Sequence, residues 1–134
     1  MVVIAQMNVL AVGMKDRADQ FKGLPVRLLN LACGRDAIRT FKTNQIDSVI
    51  SHWHLSDMPD GAFLKKLKAI KPDMPTVAII ESDNQQQEID ARRLGVTAVI
   101  QEDCGSAYFR QVIASLFGLS DIEAIDASYA VKGA

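Results

Sequence analysis

The sequence predicts an α/β domain built on a parallel sheet, and three observations carry that prediction. Short runs rich in apolar and β-branched residues alternate with segments of helical periodicity, the order expected of βαβ units. Several of the runs, among them Val77 to Ile80, are nearly continuous in apolar residues, as strands covered on both faces are. The chain has 134 residues, a length that suits one domain able to bury a core.

The strands are expected at Asn8 to Val12, Val26 to Leu31, Ser48 to His52, Thr76 to Ile80 and Thr97 to Gln101. The first could instead run from Val2 to Gln6, because the whole start MVVIAQMNVLAVGM is apolar. Helical stripes at i, i+3, i+4 and i+7 place helices at Arg35 to Lys42 (Ala37, Ile38, Phe41), Ala62 to Ile70 (Phe63, Leu64, Leu67) and Tyr108 to Phe117 (Phe109, Val112, Ile113, Leu116). Gln85 to Leu94 is a helix of another kind, with only Ile89, Ala91 and Leu94 apolar, so it should lie on the rim, largely solvated. Gly95 ends it, and Pro75 precedes a strand where its missing donor matters least. A first helix at about Asp16 to Lys22 is cut short by Gly23 and Pro25. Beyond the domain at 7–118, residues 119–134 form either a short helix, given the capping-box spacing of Ser120 and Glu123, or a linker toward an output domain.

Composition narrows the function. A net charge of −1 lacks the basic footprint of a nucleic-acid binder and gives no reason to expect an anionic membrane as partner. The apolar start has no basic n-region or small-residue cleavage site, and no apolar run approaches the ~20 residues of a spanning helix, so the chain reads as cytoplasmic. Cys33 and Cys104 are too few and too far apart for a disulfide framework or a zinc site. No cofactor motif stands out.

The five-fold β-α order, with VISHWHLSDMPDGAFLKKLKAI at its centre, resembles the receiver domain of two-component response regulators from about Asn8 to Phe117. The resemblance implies a doubly wound, flavodoxin-like sheet in the order 2-1-3-4-5, here with a shortened first helix. It also implies a phosphoacceptor pocket at the strand ends, and each working position of that pocket carries a different residue. The accepting Asp falls on His52. The metal-binding acidic pair falls on Gly13 and Met14, or on Met7 and Asn8 if the first strand is the earlier one. The hydroxyl ending the fourth strand falls on Ile80, the lysine ending the fifth on Glu102, and the aromatic switch residue within the fifth on Val99. Phosphoryl transfer needs a nucleophilic oxygen, a hard cation held by oxygen ligands and donors for the transferred oxygens. The chain therefore resembles a degenerate, pseudo-receiver member, not an enzyme.

Several residue groups have competing readings. His52 and His54 could offer two imidazoles to a metal, but no third ligand is evident, and the simpler expectation is that His52 fills the vacated pocket. In the family's register His52 and Glu102 would face each other with the charges of the original Asp and Lys exchanged. Cys33 and Cys104 would sit at opposite sheet edges, too far apart for a disulfide. Trp53 reads as a packing residue, and Lys65, Lys66, Lys68 and Lys71 as the solvated face of one helix.

The function expected from these readings is a phosphorylation-independent signalling module. It would bind a protein partner, or itself, through the face made by the fourth helix, fifth strand and fifth helix, with Arg92, Val99, Gln101 and Tyr108 as contacts. The alternative is a small-molecule or metal sensor using the altered pocket, since open α/β sheets bind ligands at their strand ends.

Overall fold

Strands that are apolar on both faces need cover on both sides, and the computed structural model supplies it. Residues 7–14, 21, 23–24 and 26–116 are described. Strands β1 (Met7–Val12), β2 (Val26–Leu31), β3 (Ser48–His52), β4 (Thr76–Ile80) and β5 (Ala98–Gln101) form one parallel sheet in the order β2-β1-β3-β4-β5. Helices α1 (Gly34–Thr43), α2 (Ala62–Ile70), α3 (Gln85–Leu94) and α4 (Ser106–Leu116) connect and cover it. The expected helix at Asp16 to Lys22, Phe21 apart, and the tail at 119–134 lie outside the described residues. The expected fourth and fifth helices are thus α3 and α4.

The first strand takes the later of its two expected positions, with Met7 added. Thr97, expected to start the fifth strand, precedes it. Its amide still donates to the Thr76 carbonyl at 2.8 Å, and its hydroxyl accepts from the Thr76 amide at 3.1 Å.

Because successive strand residues point to opposite faces, the sheet divides the core into two layers. On one face Leu10, Val12, Val49, Ala78 and Ile80 pack with Ala37, Ile38 and Phe41 of α1, Phe63, Leu64 and Leu67 of α2, and Ala91 of α3. On the other, Val9, Ala11, Ile50, Val77, Ile79 and Ile100 pack with Phe109 and Ile113 of α4. There Phe21 meets Phe109 edge to face, with centroids 5.6 Å apart and planes at 86°. Each large side chain buried in these layers stabilises the fold by about 1.5–3 kcal/mol relative to exposure.

The polar helix α3 lies on the rim as its composition requires, with Ala91 its one buried residue. Local hydrogen bonds compensate for its small apolar face. The Asn84 side chain caps it by accepting from the Gln87 amide at 3.0 Å, and the Gln87 side chain accepts from the Glu81 amide at 2.8 Å. Gly95, at φ 93, closes it in the left-handed conformation that favours glycine. Cys33 follows β2 and Cys104 follows β5, so the two thiols stand at opposite edges of the sheet. Among the described residues no helix is long and apolar enough to cross a membrane.

Candidate functional site

In a parallel sheet every strand ends at the same side, so the loops after β1, β3, β4 and β5 meet above one end. They enclose an open cavity of about 740 Å³ whose lining includes Gly13, Met14, His52, Leu55, Ser82, Glu102 and Asp103. Four of the five residues expected in the degenerate pocket, Gly13, Met14, His52 and Glu102, are therefore brought together.

Ile80 is not with them. Period two turns it into the core layer under α1 and α2, and its outer edge borders a neighbouring groove rather than the cavity. Ser82, two residues further on, supplies a hydroxyl to the cavity instead.

The floor is shaped by close packing. Gly13 stands at φ +70, and a Cβ built on it would lie 2.9 Å from Leu55 Cδ2 and 3.6 Å from His52 Cδ2. A larger residue there would be strained by its backbone and crowded by Leu55, with His52 in ordinary contact. His52 is half-buried, and its neighbour Ser51 donates from Oγ to the His52 carbonyl at 2.9 Å.

The loop from Trp53 to Gly61 makes one wall, contributing His54, Leu55 and Ser56. Its ends are pinned together, the Gly61 amide donating to the Trp53 carbonyl at 2.8 Å. Trp53 is 2% exposed and packs in the core under α1 and α2, the packing role its position suggested. His54 is exposed and accepts at Nδ1 from the Asp60 amide at 3.4 Å.

Asp57 turns away from the cavity. Its two carboxylate oxygens accept from the amides of Gly34 and Arg35, each at 2.9 Å, and so cap α1 from a loop more than twenty residues away. Cys33, at the helix's own N-cap position, makes no side-chain cap bond. The amides of Gly34 and then Arg35, with a smaller contribution from the Arg35 guanidinium, hold the Asp57 carboxyl below its ordinary range. Nothing at positions 53 to 61 announces this bond in the sequence. The one signal is the missing cap at Cys33-Gly34, where Ser, Thr, Asp or Asn would be usual.

The resemblance would place a Mg²⁺ ion at these strand ends, held by an acidic pair after β1. Gly13 and Met14 bring no oxygen side chains, and among the described residues no group of three or more His, Cys, Asp or Glu is placed to hold a metal.

The second set of expected residues also converges. Arg92 of α3, Val99 and Gln101 of β5 and Tyr108 of α4 line one groove of about 370 Å³, with Glu88 and Cys104 beside them. The Arg92 Nε donates to Glu88 Oε2 at 3.1 Å, one helical turn back, which directs the guanidinium along α3. Tyr108 is 53% exposed and also borders a second, more apolar groove with Val112 and Leu116. Of the lysines on α2, Lys65 and Lys66 are exposed. Lys68 differs, its ammonium donating to the carbonyls of Pro72 and Met74 at 3.2 and 3.1 Å.

No protein-family model matches the sequence, and no curated protein matches it. Solved structures match in fold. The signal receiver domain of an HD domain-containing protein from Pseudomonas fluorescens aligns with a TM-score of 0.77 at 15% identity, covering 92% of this chain and 96% of that one. A CheY-like response regulator receiver domain from Methanospirillum hungatei gives 0.76 at 12% identity, covering 89% and 99%. The receiver domain of a sensor histidine kinase from Pseudomonas aeruginosa, solved with magnesium in its active-site cleft, gives 0.73 at 15% identity, covering 85% and 99%. The chain has the receiver fold.

Proposed function

We infer that this chain is a signalling module of pseudo-receiver type that works by binding protein without being phosphorylated, using the groove between α3, β5 and α4. One observation carries the reading. The cavity where the receiver fold would conduct its chemistry is lined by Gly13, Met14, His52 and Glu102, while Arg92, Val99, Gln101 and Tyr108 still converge on a single exposed groove.

The chemistry follows from the cavity's residues. An imidazole at position 52 cannot form an acyl phosphate, and a carboxylate at 102 repels the phosphoryl oxygens that a cation would attract. Asp57, the carboxylate closest to His52 in the loop, is engaged at the N-terminus of α1. The groove has the features of a protein contact: an exposed aromatic ring, an oriented guanidinium and an apolar extension toward Leu116. With Ile80 and Val99 in place of a hydroxyl and an aromatic switch, nothing couples the cavity to the groove through the usual side chains, so the groove is held in one state.

The test is incubation with acetyl phosphate and Mg²⁺ followed by intact mass measurement. The expected result is no change. A stoichiometric gain of roughly 80 Da, one phosphoryl group, would overturn the reading.

A second reading rests on the cavity itself. Its volume of about 740 Å³ is within the range of small-molecule sites. A ligand screen that raises the melting temperature, with binding lost on substituting His52 or Ser82, would favour a sensor over a protein-binding module.

A further inference from the structure

We propose that the Trp53–Gly61 loop is a latched wall of the strand-end cavity, and that the Asp57 carboxylate on α1 is the latch. The loop is a short closed segment of the Ω type, with ends pinned by the Gly61 to Trp53 hydrogen bond of 2.8 Å and anchored by an indole that is 2% exposed. Its middle has one buried anchor, Leu55, 4% exposed, with Met58 packed against the same core layer. His54, Ser56, Asp57 and Asp60 are exposed, and the internal bonds there are the long exchanges between Leu55 and Met58, whose amides donate to each other's carbonyls at 3.3 and 3.2 Å.

What holds the middle down is reached from outside the loop. Asp57 accepts from the Gly34 and Arg35 amides at 2.9 Å each, and Met58 closes over Gly34 so tightly that a Cβ there would lie 2.6 Å from the Met58 sulfur. Leu55 lies between Gly13 and Gly34, within 2.9 and 3.2 Å of the Cβ positions those glycines leave empty. The glycines let the loop seat close to the sheet, and the carboxylate bonds keep it seated. Release of Asp57 frees Leu55 and Met58 to lift while Trp53 and Gly61 stay fixed, which widens the cavity beside the half-buried His52 and raises its exposure. Asp57 is a positioning residue: it controls access to the cavity without facing into it.

Hydrogen exchange on the full chain separates a latch from an ordinary helix cap. In Asp57→Asn, and more strongly in Asp57→Ala, the amides of Leu55 and Met58 should exchange about fivefold faster along with those of Gly34 and Arg35, the factor expected from losing a charged cap at an exposed helix end. The Gly61 amide and the β3 and β4 amides should keep their wild-type rates. Carbethoxylation of His52, read by peptide mass, should quicken by a similar factor. Asn84→Ala, which removes the local cap of α3, is the control and should loosen α3 alone. Unchanged Leu55, Met58 or His52 rates would reduce Asp57 to a plain cap and overturn the proposal. Uniform acceleration across the strands would overturn it as well, since the loop would then have no opening of its own.

Discussion

Replacing Gly61 with alanine should be among the most damaging single-methyl additions in this domain, and the structure gives the size of the effect. Gly61 adopts φ +77, where any L side chain is strained by about 1–2 kcal/mol. A Cβ built there falls inside contact distance of Cζ2, Cη2 and Cε2 of the Trp53 indole. Trp53 cannot yield easily, because it is buried among Leu64, Leu67 and the other residues of that core layer, and forcing such a shift costs about 1–3 kcal/mol more. The sum is about 2–5 kcal/mol. Gly95→Ala isolates the backbone part, since Gly95 has φ +93 and nothing within 4 Å of its Cβ position. That variant should lose only about 1–2 kcal/mol. The reduced freedom of the unfolded chain is common to both substitutions and cancels in the comparison. Urea unfolding of the two variants and the wild type, with slopes compared to confirm a shared denatured state, measures the difference. Equal losses for Gly61→Ala and Gly95→Ala would refute the claim that the indole packs against a glycine by necessity.

Other consequences follow from the cap, the cavity and the groove. Asp57 has a folded-state pKa below its unfolded value of about 4, so its contribution is present above that value and is lost as pH falls through the folded one. Because the side chain is exposed, the contribution should not exceed about 1 kcal/mol, and the stability gap between wild type and Asp57→Asn should be constant from pH 5 to 7 and shrink below about pH 4. Urea midpoints at several pH values measure it, and a gap undiminished at pH 3 would contradict the assignment. His52→Asp alone should leave the chain unreactive toward acetyl phosphate with Mg²⁺, because positions 13 and 14 still offer the metal no oxygen; intact mass decides it. Once a protein partner is captured from the source cell, Arg92→Ala or Tyr108→Ala should weaken its binding by at least about fivefold in a titration, while Lys65→Ala and Lys66→Ala stay near wild type. Equal losses at both places would move the contact surface away from the groove.

The sheet was legible because its signal is local and redundant. Val77 to Ile80 reads as a doubly covered strand and the stripe Phe63, Leu64, Leu67 as a core-facing one, so the elements and helix faces follow from pattern, while the sheet order came from the resemblance to receiver domains. The polar helix α3 was legible for the opposite reason: with so little to bury, it had to lie at the rim. The missing parts are those that depend on distance through space. Asp57 lies in a run of Ser, Asp, Met and Pro that reads as an ordinary turn, and its partner amides begin a helix on the other side of β1. Trp53 was readable as a packing residue, but not that the surface it packs against is the bare backbone of Gly61. Ile80 shows the limit of transferring a position by register. The alignment matches it to a hydroxyl at the end of the fourth strand, where the structure also has it, yet the alternation of side chains sends it into the core and leaves Ser82 to line the cavity.

The residues around the cavity floor and wall constrain one another sterically. Gly13 is a glycine in left-handed conformation beneath Leu55, and Leu55 is held there by a loop whose own seat is the glycine at position 34. Placing an acid at position 13 would strain the backbone and unseat Leu55, and unseating Leu55 would strain the Asp57 bonds that cap α1. Building an acidic metal-binding pocket here would therefore require coordinated changes in β1, in the β3–α2 loop and at the start of α1, not one substitution at a time. The groove between α3, β5 and α4 shares none of these contacts. Substitutions in the groove can therefore change its surface without disturbing the packing beneath the cavity.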